Sequence, residues 1–399
     1  MPVKKVYYKN PYLKELETET VSSKTDKRGT WFTFKETIFY PQGGGQSSDK
    51  GWVDSYPILD VQSSEDEIWH LVDASLSNKV LMRLDWDHRY KNMQQHSGQH
   101  ILSACFKKLY DLNTTSVHLG DDITMIELDT AEIEDDILEN VEEAANRLIR
   151  DNISIESIRV NRSDLEQYSV RRTIKTQNEP VRLVRIGELD CVGCGGIHVR
   201  STAEIGLIKI IGLEKIRGHI RVKIKIGSTA YHYFGLLHKT IQKVSNVLTT
   251  SVEDLYDRIE SLLAEKRELI SEKKRISSLW LSEMAKNLNA DEEAGCFELK
   301  NLLPDQLKIL SERYLDIHKK PCLFTSEHAG QIFFYIRFPG DLNKNVQDFI
   351  QKYKKQHSLK GGGARDFGVG QIEQSDPARF SPYPLFLSFK EFISQNSGQ

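Results

Sequence analysis

The chain has 399 residues, a formal net charge of −3, 28% charged and 39% hydrophobic residues, which leaves room for two to four domains of ordinary globular composition. No apolar run approaches the roughly 18–20 residues that span a bilayer, and the N-terminus lacks the apolar stretch of a secretory signal. The near-neutral total gives no global electrostatic case for nucleic-acid binding, and five cysteines, an odd number, point to a reducing, cytoplasmic setting with thiols used for metal.

Residues 1–86 predict short strands. Trp31-Phe-Thr-Phe34 alternates large apolar residues with Thr, and Gly51–Asp54, Ile68–Val72 and Val80–Leu84 follow between turn signals. Strands this short and evenly spaced suggest a small β-barrel. Among them lies Phe39-Tyr-Pro-Gln-Gly-Gly-Gly-Gln46, with three consecutive glycines that a simple hairpin does not need. Either this is a flexible turn, or a ligand or another backbone comes close to it.

Residues 87–110 predict a helix with Asp87 as N-cap, and it carries His96-Ser-Gly-Gln-His100. Residues four apart on a helix share one face, as a common ion requires. Gly98 costs about 1 kcal/mol relative to Ala in a helix, consistent with close packing against the histidine face. A second amphipathic helix is expected over about 131–150, then strands over 154–160, 181–186, 206–211 and 220–226. Cys194-Gly-Gly-Ile-His198 repeats the four-residue spacing. Three imidazoles and a thiolate match the preferences of zinc. Zinc proteases of the His-Glu-x-x-His type place a general base directly after the first histidine, where this chain has Ser97, so a protease is not expected.

Residues 229–290 contain no proline and one glycine, Gly235, and predict a helical spacer. Its stripe runs Leu255, Ile259, Leu262, Lys266, Leu269, Lys273, Ile276, Trp280, a heptad seam interrupted by two lysines. An antiparallel hairpin and a dimeric coiled coil both fit. Residues 291–399 predict a smaller α/β segment with strands from Cys322 and Gln331 and a helix over 346–357. Lys360-Gly-Gly-Gly-Ala-Arg365 follows as a Gly-rich loop that lacks the Gly-Lys-Ser/Thr ending of a P-loop. Lys354, Lys355, Lys360 and Arg365 cluster around Gly361, Gly362 and Gly363; they either contact a nucleic-acid backbone or form a solvated face.

The order of these motifs resembles that of the free-standing alanyl-tRNA editing proteins of the AlaX type, long form, and the editing and C-terminal regions of alanyl-tRNA synthetase. The matching stretches are Thr37–Gln46, Asp85-Trp-Asp87, His96–His100, Val117–Gly120, Cys194–Val199, Thr202–Gly206 and Gly361–Asp366. The resemblance implies an α+β chain: an N-terminal β-barrel (1–86), a zinc-dependent editing domain (87–228), a helical coiled-coil-like spacer (229–290) and a C-terminal Gly-rich tRNA-binding or oligomerisation domain (291–399). It implies no aminoacylation core, and a homodimer through the spacer or the C-terminal domain is one expectation.

It further implies a Zn2+ hydrolase that cleaves the ester of tRNA(Ala) mischarged with serine or glycine. By position, His96, His100, Cys194 and His198 match the metal ligands, Gln46 the glutamine lining the substrate site, and Thr37 a hydroxyl that tells serine from alanine. Lys354, Lys355, Lys360, Gly361, Gly362, Gly363 and Arg365 fall to tRNA binding. Ile197 stands where the family usually has Thr, losing a hydroxyl donor. Four ligands would close a tetrahedral zinc, so His96, His100 and Cys194 are expected as firm ligands and His198 as the least firm. Two alternatives stay open: a tRNA-binding protein with structural zinc and no hydrolysis, and a deacylase for Ser-tRNA(Thr).

Overall fold

The computed structural model describes residues 3–64, 67–174, 179–289, 293–373 and 381–395. It is a mixed α+β chain with several sheets, divided into two compact units, Met1–Val247 and Leu248–Gln399. The expected limit between residues 290 and 291 lies outside the described residues.

In the first unit, β1 (Glu15–Asp26), β2 (Gly29–Phe34), β3 (Gly51–Val53), β4 (Tyr56–Ser64), β5 (Glu67–Val72) and β6 (Lys79–Leu84) pair in the order β1-β2-β5-β4-β3-β6, and β6 pairs back onto β1. Phe32, Phe34, Val61, Val72, Val80 and Met82 fill the interior. Strand β1 has no counterpart among the sequence expectations. Its Glu-, Thr- and Ser-rich composition hides the strand, which is held instead by pairing with neighbours on both sides.

Helix α1 (Trp86–Tyr110) follows directly. Asp85, rather than the expected Asp87, is its cap: the Asp85 carboxylate accepts from the His88 amide at 3.1 Å, the third amide of the helix, while Asp87 already lies in the first turn. The helix is buried from His88 to Phe106 on nearly every side, although it carries Arg89, Asn92, Gln94, Gln95, Ser97 and Gln99. Such burial is tolerable because most of these groups find partners, the Gln95 oxygen being an exception among the described residues. Gln94 donates to the Glu204 carbonyl at 2.9 Å and Gln95 to the Gly120 carbonyl at 3.1 Å. Arg89 forms a fully buried ion pair with Asp49, and its guanidinium also donates to the Pro11 carbonyl at 2.8 Å.

Around α1 lie β7 (Thr114–Leu119), β8 (Thr124–Leu128), α2 (Asp135–Arg150), β9 (Ile155–Val160), β10 (Val181–Ile186), β11 (Asp190–Gly193), β12 (Ile208–Ile216) and β13 (His219–Ile226). One sheet runs β12-β13-β8-β7 and another β9-β10-β11. Met93, Ile101, Leu102 and Phe106 meet Ile126, Val222, Ile224 and Ile226 of the larger sheet and Val141 and Ala145 of α2. A Cβ on Gly98 would lie 2.6 Å from Ile226 Cγ2. The close approach is therefore to the sheet, not on the histidine face as expected: at about 100° per residue, position 98 points away from both 96 and 100.

Helix α3 (Ser228–Leu248) ends at the boundary between the units. In the second unit, α4 (Leu255–Asn287) is a single 33-residue helix that buries Leu281 and Ala285, while Leu269, Ile276 and Trp280 of the expected seam are exposed. The remaining elements are β14 (Gly295–Lys300), α5 (Pro304–His318), β15 (Cys322–His328), β16 (Gln331–Arg337), α6 (Val346–Tyr353), β17 (Leu359–Gly363), β18 (Phe367–Ile372) and α7 (Tyr383–Ser394). Their sheet runs β14-β15-β16-β18-β17. The Gly361–Gly363 run is not the expected loop. It is strand β17, with Gly361 opposite Gly370 and Gly363 opposite Gly368. A Cβ on Gly363 would lie 2.0 Å from the Phe367 carbonyl oxygen, so glycine is what lets the two backbones come this close.

Candidate metal centre

His96 and His100 project from one face of α1 with nearly parallel rings, 5.2 Å between centroids. Cys194 and His198 lie just beyond β11 and complete a group whose ligand atoms all fall within 4.8 Å of one another. The Cys194 sulfur lies 3.3 Å from His96 Nε2 and 3.4 Å from His198 Nε2. The sulfur–nitrogen edge of a tetrahedron around zinc is about 3.6 Å.

The outward nitrogens of His96 and His198 are each met within hydrogen-bond distance, and that of His100 faces a carboxylate at longer range. His96 Nδ1 is 2.8 Å from Gln46 Oε1, His198 Nδ1 is 3.2 Å from the Ser97 hydroxyl, and His100 Nδ1 is 3.7 Å from an Asp190 carboxylate oxygen. Metal-ligating histidines characteristically have their second nitrogen held in this way. Neither buried nitrogen of His100 has a hydrogen-bond partner among the described residues, and Nε2 is the one left without a charged neighbour outside the group. A buried nitrogen of this kind aimed into a set of three imidazoles and a thiol fits a metal ion, and the donor set is consistent with zinc.

The electrostatics agree. Burial opposes ionisation of Cys194, but the imidazoles of His96, His198 and His100 outweigh it and hold the thiol well below its ordinary value. The Gly196 amide also donates to the sulfur at 3.3 Å. Burial alone would lower His100, yet Cys194 and Asp190 raise it to about 9, whereas burial takes His198 down to about 3. The site thus favours the thiolate of Cys194, the form that ligates a metal. Cys191, buried among Val160, Val181 and Leu183, takes no part in the group, and burial raises its thiol.

The first glycine triplet delivers Gln46. Gly44 (φ 59°) and Gly45 (φ 83°) are the two central residues of a tight turn closed by paired backbone bonds between Gly43 and Gln46. Both need positive φ, the signature of a primed hairpin turn. A Cβ on Gly45 would lie 3.1 Å from the Val117 carbonyl oxygen, while the Gly45 carbonyl accepts from the Leu119 amide at 3.2 Å. Gly196 is equally constrained: its Cβ would fall 2.0 Å from His96 Cε1. Ile197 is 1% exposed and packs into the core.

Among the described residues, no hydrogen bond joins Thr37 to the metal group. It is fully buried, its hydroxyl 2.8 Å from His70 Nε2, and it accepts from the Phe39 amide at 3.1 Å. His100 and Cys194 instead line a cleft of about 920 Å³, and His198 lines a smaller one of about 280 Å³. Lys354, Lys355, Lys360, Gly361–Gly363 and Arg365 belong to the second unit. Lys360 forms an exposed ion pair with Glu373 at 2.8 Å.

The family model of the threonyl and alanyl tRNA synthetase second additional domain matches residues 181–222, a stretch that contains Cys194 and His198. The chain is 29% identical, over 93% of its length, to alanyl-tRNA editing protein AlaX-L of Pyrococcus horikoshii and covers 95% of that protein. The resemblance to the long-form alanyl-tRNA editing proteins holds along nearly the whole chain. It is also 27% identical to alanine–tRNA ligase of Sulfurisphaera tokodaii over 92% of this chain and 42% of that one. Alanyl-tRNA editing protein Aarsd1-A of Xenopus laevis is 31% identical over 62% of this chain and 61% of its own. The chain therefore spans less than two thirds of these last two relatives.

Several residues of the site carry no sequence signal. Ser97 attracts attention only for not being a base, yet it holds His198. Asp190, whose carboxyl is kept low by His100 and Arg171 against the effect of burial, belongs to no spacing pattern. Only its contact with His100 across the fold reveals it.

Proposed function

We propose that this protein is an alanyl-tRNA editing hydrolase that frees serine, and glycine, from mischarged tRNA(Ala) in trans. The observation that carries the reading is the group His96, His100, Cys194 and His198 at the edge of an open cleft, within a chain similar throughout to an alanyl-tRNA editing protein. These four residues would hold Zn2+, which when bound supplies Lewis-acid polarisation and a more acidic water. Gln46 fixes the His96 ring and keeps a buried side-chain nitrogen, Nε2, without a hydrogen-bond partner among the described residues, so it has a donor to offer an ester or water oxygen. His198 would be the ligand that yields to water or substrate; its outer nitrogen lies 3.2 Å from the Ser97 hydroxyl. Selectivity for serine through Thr37 requires its hydroxyl to turn from His70 or to act through that pair. The basic residues of the second unit would contact the tRNA body.

Purified, zinc-loaded protein should release serine from Ser-tRNA(Ala) faster than alanine from Ala-tRNA(Ala). Equal rates, or no hydrolysis of either, would count against the proposal. A second reading, structural zinc without hydrolysis, is favoured by the four donors, which saturate a tetrahedral ion. His198→Ala separates the two: under the editing reading deacylation falls while the fold survives, and under the structural reading the melting temperature falls with no activity to lose. Competition between tRNA(Ala) and tRNA(Thr) charged with serine tests the threonine alternative, and tRNA(Ala) should win.

A further inference from the structure

The cleft beside Cys194 and His100 has five cations on its wall, Lys5, Arg159, Arg171, Arg172 and Arg182, against one carboxylate, Glu179. Glu179 already faces Arg162 at 3.6 Å, and Arg171 is neutralised by Asp190 through bonds of 2.7 and 3.0 Å. Arg159 and Arg182 are different. They stand directly opposite each other across the β9–β10 pair, an arrangement that like charges disfavour. The other face of the same ribbon has the usual solution: Glu156 stands opposite Arg185 and the two form an ion pair at 2.8 Å. On the cleft face no carboxylate pairs with either arginine among the described residues. Arg182 donates to the Cys194 carbonyl at 2.5 Å and packs over the Tyr8 ring, and its buried Nε has no partner among the described residues. A half-buried guanidinium facing another, neither paired with a carboxylate among the described residues, leaves room for an anion between them.

We propose that Arg159, Arg172 and Arg182 form a clamp for the phosphodiesters of a single-stranded RNA 3′ end, which holds the terminal nucleotides beside the metal centre. Arginine forks match phosphate oxygens in pairs. The cleft volume, about 920 Å³, exceeds what a lone phosphate needs and leaves room for nucleotides. Because Arg182 also holds the carbonyl of Cys194, the clamp connects the gripped backbone directly to a metal-ligand residue. The assignment rests on the editing reading above for the identity of the RNA, but the clamp is tested without hydrolysis.

The probe is a 5′-labelled tetranucleotide RNA ending in CCA, bound to full-length, zinc-loaded protein and followed by anisotropy across salt concentrations. Arg159→Gln with Arg172→Gln should weaken binding about tenfold and flatten the salt slope by roughly 1.4, since each phosphate that a single strand no longer has neutralised accounts for about 0.7. On Ser-tRNA(Ala) the same pair should raise KM by a similar factor with kcat and bound zinc retained, and Arg182→Lys should bind the probe more weakly than wild type. Arg185→Gln, on the opposite face, should change none of these. Unaltered probe affinity and salt slope in the double variant overturns the clamp, as does displacement of the probe by micromolar inorganic phosphate, which would mark a free-phosphate site. Arginine-dependent probe binding in a protein that deacylates nothing would retain the clamp and reject the editing reading. Normal deacylation with an arginine-independent KM would do the reverse.

Discussion

Gly43–Gly45 and Gly361–Gly363 look alike in the sequence, and the fold uses them in unlike ways. In the first unit, Gly44 and Gly45 adopt positive φ in a turn that aims Gln46 at His96. In the second, Gly361 and Gly363 are extended strand residues whose missing side chains let β17 and β18 approach. A glycine run therefore announces a close approach without saying to what. The units differ in the same sense. The first buries charged groups and histidines that serve the site, while the buried polar side chains of the second, among the described residues, are Ser311, Thr325, Ser326 and Ser388.

The largest expected effect lies in the second triplet. Gly363→Ala puts a Cβ 2.0 Å from a backbone oxygen that cannot swing aside. Overpacking of this kind costs about 3 kcal/mol. Denaturant melts should show the second unit weakened, with zinc content unchanged. A variant as stable as wild type would mean that the close approach of the two strands is not needed.

An effect of similar size separates the units by pH. His70 is fully buried, and burial lowers it to about 4 from 6.5. The unfolded chain takes up a proton below 6.5, whereas the folded chain does so only near 4. The stability due to neutral His70 is thus present above pH 6.5 and is lost as pH falls towards 4, by about 3 kcal/mol at about 1.4 kcal/mol per pH unit. Melting temperature against pH should fall steeply in that window for wild type and less so for His70→Gln, which keeps an acceptor for Thr37. Equal slopes would remove His70 as the cause.

The first triplet comes next. Gly45→Ala should cost about 1–2 kcal/mol in backbone strain. By shifting Gln46 it should also reduce metal affinity about tenfold, the low end for loss of an outer-shell partner. Chelator competition measures this, and Gln46→Ala should reproduce the loss of affinity without the strain. If Gly45→Ala leaves affinity intact, the turn does not position the ligand.

What the sequence discloses follows from the range of each interaction. His96 and His100 are legible because one helical turn separates them, and Cys194 and His198 because one short segment holds both. The four come together only through the packing of β11 against α1, which no local pattern encodes. Asp49 with Arg89, and Asp190 with Arg171 and His100, join residues far apart in the chain, so they stay invisible until the fold is known. The Gly361 stretch misleads for the converse reason. Glycine is depleted in strands on average, and its place in β17 depends on the glycines Gly368 and Gly370 facing it.

The smallest expected effect concerns the cations that follow α6. Lys354, Lys355 and Arg365 are exposed, and none forms an ion pair among the described residues, whereas Lys360 is held by Glu373. These three cations flank β17, which lies at the edge of its sheet. If they touch the tRNA body, removing any one of them should lower the slope of log K against log salt by about 1. Charge reversal of all three should then weaken binding of full-length tRNA several-fold at low salt and less at high salt, because exposed charges are screened. Binding of the tetranucleotide probe should not change, since it presents no tRNA body. Lys360→Glu alone should have little effect beyond the loss of its Glu373 partner. Should the triple reversal leave tRNA affinity and its salt dependence untouched, these residues are ordinary solvated charge and the anchor lies elsewhere.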